Sequence, residues 1–296
     1  MIPGDTLTVR YGLKLSQKAP IDEYRAVWRI ADEAGFDSVW NMDHFAALGG
    51  DPTGDIFEAW TLLGAMAEAT ERVRIGCMVT GNTYRHPAVL AKMAVTVDHL
   101  SGGRLEFGIG AAWAENEHTM LGLDFGTVGD RMDRLEEACQ IIRSLWTEAR
   151  TTFHGRHYDL TEVIAEPRPV QQPYPPIWIG GRGRQRTLRL AARYADVWNL
   201  PGGSPGEVVE LSQVLDEHCA AIGRDPAEIR RTVQLRLPDS SGPDSHPADE
   251  VESVLSTVKE YAAVGVDELI LIVVGGAAEA QAERAAALLP QLRSVG

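Results

Sequence analysis

The sequence is poor in cysteine, in basic residues and in long apolar runs, and each shortage excludes something. Its three cysteines, Cys77, Cys139 and Cys219, lie far apart and form no CxxC pair. That rules out a disulfide framework and a cysteine zinc site, and leaves buried reduced thiols as the expectation. His99 and His118 have no partners at metal-ligand spacing such as HExxH, so no metal is expected. Lysine and arginine number 28 against 42 acidic residues, for a net charge of −14. Nucleic-acid phosphates attract basic surfaces, so a nucleic-acid partner is not expected, although a few local arginines could still hold an anionic ligand. No window approaches the roughly 18 consecutive apolar residues of a membrane span, and Met1-Ile2-Pro3-Gly4-Asp5 does not read as a signal peptide. A cytoplasmic location without a membrane partner is the expectation.

What is present is a regular alternation. Short apolar runs begin near Val9, Ser38, Val73, Arg104, Pro176, Asp196, Thr232 and Leu269, with helical periodicity between them and a last helix at the C-terminus. Eight strands alternating with helices is the count of a (β/α)8 TIM barrel, which uses about 250 residues or more as one domain. Residues 1–296 are therefore expected to form one domain. Residues 148–176 lack clear helical periodicity and are expected to form an insertion hairpin between the fourth helix and the fifth strand. The first helix is expected to start at Asp22 as N-cap and to stop at Gly35. One phrase recurs without a fixed period: a helix end, then Asp37, Asp196 or Asp267, then a strand. A doubly wound sheet is the alternative, but its dinucleotide fingerprint fails, because Gly108-Ile109-Gly110-Ala111-Ala112-Trp113 places Trp113 where the pattern wants Gly or Ala.

The stretch Val73–Trp113 reads as one βαβ unit with two buried parallel strands. Thr80-Gly81-Asn82 follows the first strand and Gly110-Ala111-Ala112-Trp113 the second, at the carboxyl ends where such folds build sites. Asp43-His44 ends the second expected strand, and a histidine there can exchange protons near neutral pH. His86 before Pro87 reads as a helix cap. Gly180-Gly181-Arg182-Gly183-Arg184 precedes a helix and can be read two ways. It is a phosphate cradle of glycine amides, helix dipole and arginine charge, or a plain βα turn that needs positive φ. Gly275-Gly276 could fill the same role after the last strand, without an adjacent arginine.

Five phrases in order, SVWNMDHF, TERVRIGCMVTGNTYRHPAVLAKMAVTVDHLSGGRLEFGIGAAW, GDRMDRLEEACQIIRSLW, PPIWIGG and LRLAARYADVWN, span about Ser38 to Asn199. Together they resemble the bacterial-luciferase-like superfamily and, within it, the actinobacterial coenzyme F420-dependent oxidoreductases. The resemblance implies a (β/α)8 barrel whose carboxyl face holds the deazaflavin ring of F420. It implies a non-prolyl cis peptide at Met78-Val79 behind the ring, with Thr80, Gly81 and Asn82 lining it. Ala111, Ala112, Trp113 and Asn116 would border ring and tail, and Gly180, Gly181, Arg182 and Gly183 would hold the phosphate. His44 would be the proton-exchanging residue, tuned by Asp43, and a homodimer would be the assembly. The sugar-phosphate dehydrogenases of the branch carry a Trp soon after the Asp-His pair and a Glu on the fourth-strand loop. Leu48 and Trp113 stand at those places, which implies an apolar or aromatic small-molecule substrate. Two rival readings are an FMN-dependent monooxygenase of the same superfamily and a non-catalytic barrel that carries a cofactor.

Overall fold

The computed structural model describes residues 9–16, 18–48, 53–236, 247–274 and 277–295. Gly275-Gly276 lies outside them. In chain order the elements are β1 (Arg10–Leu15), α1 (Ile21–Ala34), β2 (Ser38–Asn41), α2 (Ala59–Ala69), β3 (Arg74–Cys77), β4 (Thr80–Gly81), α3 (Pro87–Leu100) and β5 (Leu105–Gly110). They continue with α4 (Glu115–Leu121), α5 (Val128–Thr147), β6 (Thr151–His154), β7 (Asp159–Val163), β8 (Ile177–Gly180), α6 (Thr187–Tyr194) and β9 (Val197–Leu200). Last come α7 (Pro205–Ala221), β10 (Arg230–Arg236), α8 (Pro247–Ala263), β11 (Glu268–Val273) and α9 (Ala278–Val295).

The strands β1, β2, β3, β5, β8, β9, β10 and β11 pair in parallel in that order, and β11 returns to β1, so the sheet closes. This is a (β/α)8 TIM barrel. Antiparallel β6 and β7 form the expected hairpin between α5 and β8. Glu137 on α5 pins its turn by accepting the backbone N–H of Arg156, His157 and Tyr158 at 2.8, 3.0 and 3.1 Å.

Side chains alternate across a strand, and in a closed barrel both faces are buried. Tyr11, Leu13, Ile75, Phe107, Ile109, Ile179 and Leu271 face the helices and join the main core. Residues of the other parity point inward, where Trp40, Met78, Trp178, Val197 and Ile270 form a separate cluster. Trp40 and Trp178 meet with ring centroids 4.5 Å apart. Room for them comes from Gly76, where an added Cβ would lie 2.3 Å from the Trp40 ring. The recurring aspartates have one common role. Asp37 accepts Tyr11 N–H at 2.9 Å, Asp196 accepts Ile177 N–H at 2.8 Å, and Asp267 accepts Arg231 N–H at 2.6 Å. Each terminates the amino end of a neighbouring strand, where the sheet leaves an N–H unpaired.

Two expectations about helix ends fare differently. Gly35 stops α1 in the left-handed region at φ 81°. Asp22 is not the N-cap: Pro20 occupies that position without a side-chain bond, and Asp22 lies in the first turn instead. His86 caps α3 by accepting Ala88 N–H at 3.2 Å, with Pro87 at the start of the helix. All three cysteines are buried and unpaired, and burial pushes the Cys139 thiol up to about 12. Among the described residues no helix is long and apolar enough to cross a membrane.

Candidate active site

The carboxyl ends of the barrel strands surround a cavity of about 520 Å3. One wall is the Met78-Val79 peptide, which is cis, as the resemblance implied. It interrupts the third barrel strand, so pairing resumes as β4, with Thr80 opposite Ile109 and Gly81 opposite Gly110. The Val79 side chain is driven into the barrel against backbone that must carry no Cβ. A Cβ on Gly110 would come within 2.9 Å of Val79 Cγ2, and one on Gly180 within 3.2 Å of Cγ1.

Asp43 and His44 leave β2 side by side but enter different networks. Asp43 takes a bidentate pair from Arg85, at 2.6 and 2.9 Å, and the Gly81 N–H at 2.9 Å. Arg85 also pairs with Glu58. Burial pushes the Asp43 carboxyl up, against the lowering effect of Arg85; on Arg85 the two carboxylates outweigh burial and hold the guanidinium above its usual range. This brace ties the end of β2 to the turn after β4.

His44 pairs instead with Glu117 of α4, its Nδ1 lying 3.1 and 3.2 Å from the two carboxylate oxygens. Glu117 is 1% exposed and also accepts the N–H of Phe45 and Ala46, both at 3.0 Å, and the Tyr84 hydroxyl. Burial raises its pKa, but the Tyr84 hydroxyl, the Ala46 N–H and His44 outweigh that and hold it below the usual carboxylate range. A carboxylate at one ring nitrogen fixes the orientation of an imidazole. The Trp113 ring packs edge-on against His44, with centroids 5.5 Å apart.

Deeper in the same cavity are Lys14, Asn199 and Gln234. Lys14 donates to Gln234 Oε1 at 2.5 Å, and burial pushes its ammonium down to about 8.

The family model of the luciferase-like monooxygenases matches residues 6–268. The chain belongs to that family. An F420-dependent glucose-6-phosphate dehydrogenase of Microbacterium testaceum (strain StLB037) is 35% identical over 250 residues, covering 83% of this chain and 72% of the relative. An FMNH(2)-dependent dimethylsulfone monooxygenase of Pseudomonas putida is 27% identical over 240 residues, covering 76% of this chain and 64% of the relative. A solved structure described as an F420-dependent secondary alcohol dehydrogenase in complex with an F420-acetone adduct superimposes with a TM-score of 0.83. It is 20% identical and the match covers 96% of this chain and 99% of that one, a likeness of fold.

Within this luciferase-like barrel the residues singled out by sequence fall into two groups. Asp43, His44, Met78, Val79, Thr80, Gly81, Ala111, Ala112, Trp113, Gly180 and Gly181 all line the cavity. Asn82 is buried and lines a neighbouring cavity beyond Tyr84, while Asn116 is exposed on α4. Arg182 points to the surface, bonded to Glu207 at 3.1 Å and to Pro201 O at 3.0 Å. Gly181 has φ 132° and donates its N–H to Asn199 O at 3.0 Å, and α6 begins only at Thr187. The expected pairing of Asp43 with His44 gives way to Glu117 because Arg85 claims the aspartate. Sequence reasoning missed Lys14, Tyr84, Arg85, Glu117, Asn199 and Gln234. A lysine on the inward parity of a barrel strand was the available signal for Lys14.

Proposed function

We propose that this luciferase-like protein is an F420-dependent oxidoreductase that moves a hydride between the deazaflavin and a small organic substrate. The residues present suit such a group. A volume of about 520 Å3 lies within the roughly 300–1,000 Å3 of small-molecule sites. Met78, Val79, Ala111, Ala112 and Trp113 give it a largely apolar lining against which a flat ring can pack. Met78, Val79, Thr80 and Gly81 would hold the ring, and Ala111, Ala112 and the 180–183 turn would hold its tail. At that turn Arg182 would exchange Glu207 for the phosphate, a small change for a pair that is 52% and 30% exposed. When bound, the deazaflavin supplies the hydride chemistry.

The chain's own residues do the rest. Held through Nδ1 by Glu117, His44 exchanges a proton with the substrate, and Glu117 keeps the ring oriented as it does so. The substrate is read as apolar or aromatic. Trp113 presents an exposed ring at the cavity, and Lys14 is its sole lysine or arginine among the described residues. The segments outside the description contain no lysine or arginine. A sugar phosphate would need more cationic side chains than this lining has.

The observation that carries the proposal is that His44, held by Glu117, lines the same cavity as the Met78-Val79 wall. Titration of the protein with F420 and with FMN tests it: F420 binding with negligible FMN affinity is expected, and the reverse would sink it. The reverse result is what an FMN-dependent monooxygenase predicts, the reading that the Pseudomonas putida relative supports.

A further inference from the structure

Across the cavity from the Met78-Val79 wall lies a polar face that proton exchange at His44 does not use. In the closed sheet that wall interrupts the third barrel strand, while Asn199, Gln234 and Lys14 stand on the sixth, seventh and first, carried by β9, β10 and β1. Lys14 is 7% exposed and sits on the inward parity of β1. Among the described residues no carboxylate lies within ion-pair distance of it, and its hydrogen-bond partner is a neutral amide oxygen, Gln234 Oε1, at 2.5 Å.

The bonds behind Lys14 fix which way the amides point. The Thr232 hydroxyl donates to the backbone carbonyl of Trp198 at 3.1 Å, so its oxygen accepts from Asn199 Nδ2 at 2.9 Å. Asn199 must then turn Oδ1 toward Gln234, which donates from Nε2 at 2.7 Å. Gln234 is left showing its oxygen to Lys14. Both amide oxygens are thus engaged, whereas each amide keeps one of its two N–H bonds and the ammonium two of its three. This face offers an occupant of the cavity spare donors and one positive charge.

Such a surface selects its ligand by chemistry. An ionised carboxylate only accepts hydrogen bonds, does so on two oxygens, and brings the negative charge that a buried ammonium lacks. A hydroxyl or a neutral carbonyl meets the donors but leaves the charge unpaired. A phosphate dianion asks for more than one cation, and among the described residues no second lysine or arginine lines the cavity. We propose that the substrate carries a single carboxylate on its apolar or aromatic body, and that Lys14 binds it together with Asn199 and Gln234. This rests on the F420 reading above and narrows its substrate to an apolar hydroxy or oxo acid. The carboxylate anchors the molecule at Lys14, and a separate hydroxyl or carbonyl group exchanges its proton with His44.

The test titrates the protein, saturated with oxidised F420 at pH 7, with benzoate, phenylacetate and hydrocinnamate and with their neutral amides, benzamide, phenylacetamide and hydrocinnamamide. Carboxylate and amide have nearly the same shape, so the ratio of their affinities reads the charge. In the wild-type protein at least one carboxylate is expected to bind about tenfold or more tighter than its amide, the scale of a hydrogen bond to a charged group. In Lys14→Met and Lys14→Gln that preference is expected to shrink to within about threefold, with F420 affinity within about threefold of wild type, which also shows that the variants fold. Amides that match their carboxylates in the wild-type protein, or absence of binding by the whole panel, overturn the proposal without any variant. A preference that persists in both variants overturns it too. A loss of F420 affinity of tenfold or more in the variants assigns the lysine to the cofactor and overturns it as well. Failure of the wild-type protein to bind F420 overturns the F420 reading itself, and the proposal with it.

Discussion

The two ends of the barrel interior bury charge in different ways. At the amino end, the carboxylates of Glu106 and Glu268 are 1% and 0% exposed and sit among Arg10, Arg74 and Arg230. Ser38 donates to Glu268 at 2.5 Å, Trp40 donates to Ser38 at 2.7 Å, and Trp178 donates to Glu106. The Arg230 guanidinium also lies over the Trp178 ring, 5.5 Å from its centroid. Every charge there meets an opposite charge. At the carboxyl end the pairing is selective: Asp43 is locked to Arg85 and Glu117 to His44, but Lys14 faces an amide. The closed network is a plug under the two tryptophans, and the incomplete one is a site. Burial of charge therefore does not mark function by itself; a buried charge left without its counter-ion does.

The sharpest way to break this contrast is to open the plug. Glu106→Leu leaves Arg74 without its carboxylate and Arg230 with Glu268 alone, and breaking a buried pair in this way costs at most about 3–5 kcal/mol. Denaturant unfolding should show that loss, while F420 affinity of the folded fraction stays close to wild type. A large fall in affinity would mean that the two ends are not separate.

At the open end the expectation reverses. His44→Ala should slow turnover by about 100-fold or more, the usual worth of a positioned acid or base, and leave cofactor affinity unchanged. Glu117→Gln keeps one oxygen to accept the Phe45 and Ala46 N–H groups but removes the charge at Nδ1, so its loss of turnover should be smaller than that of His44→Ala. Equal turnover of His44→Ala and wild type would remove the histidine from the chemistry.

The contrast also explains what could be read from the chain. Eight apolar runs and the Asp37, Asp196 and Asp267 phrases made the barrel legible, because parallel strands buried on both faces cannot tolerate other patterns and each aspartate satisfies a strand-end N–H. Cavity residues next to strand ends were legible for the same reason. Lys14 was hidden because alternation along Val9–Leu15 assigns it to a solvent face, whereas closure of the barrel puts that face inside. Glu117 was hidden because an acidic residue in the first turn of a helix is what the helix dipole alone would favour. Its partner lies 73 residues away, a separation that no local pattern encodes. Arg182 illustrates the converse. Its spacing suits a phosphate cradle, but spacing says nothing of Glu207 on α7.

The smallest expected effect tests the cost of the unpaired cation. Lys14 has its pKa lowered from 10.5 to about 8 by burial, so below pH 8 both folded and unfolded chains carry the charge and the folded one is penalised in full. Between pH 8 and 10.5 the unfolded chain binds more protons, stability rises with pH, and above that window the penalty is gone. Lys14→Met removes the penalty but orphans Gln234 Oε1, which offsets about 1–3 kcal/mol of the gain, so the net change at pH 7 is small. The pH slope is the cleaner signal. Relative to wild type, the melting temperature of Lys14→Met should fall steadily as pH rises from 8 to 10.5. A difference that stays flat across that window would mean that Lys14 carries no buried charge, and the two ends of the barrel would then differ only in how many ions they hold.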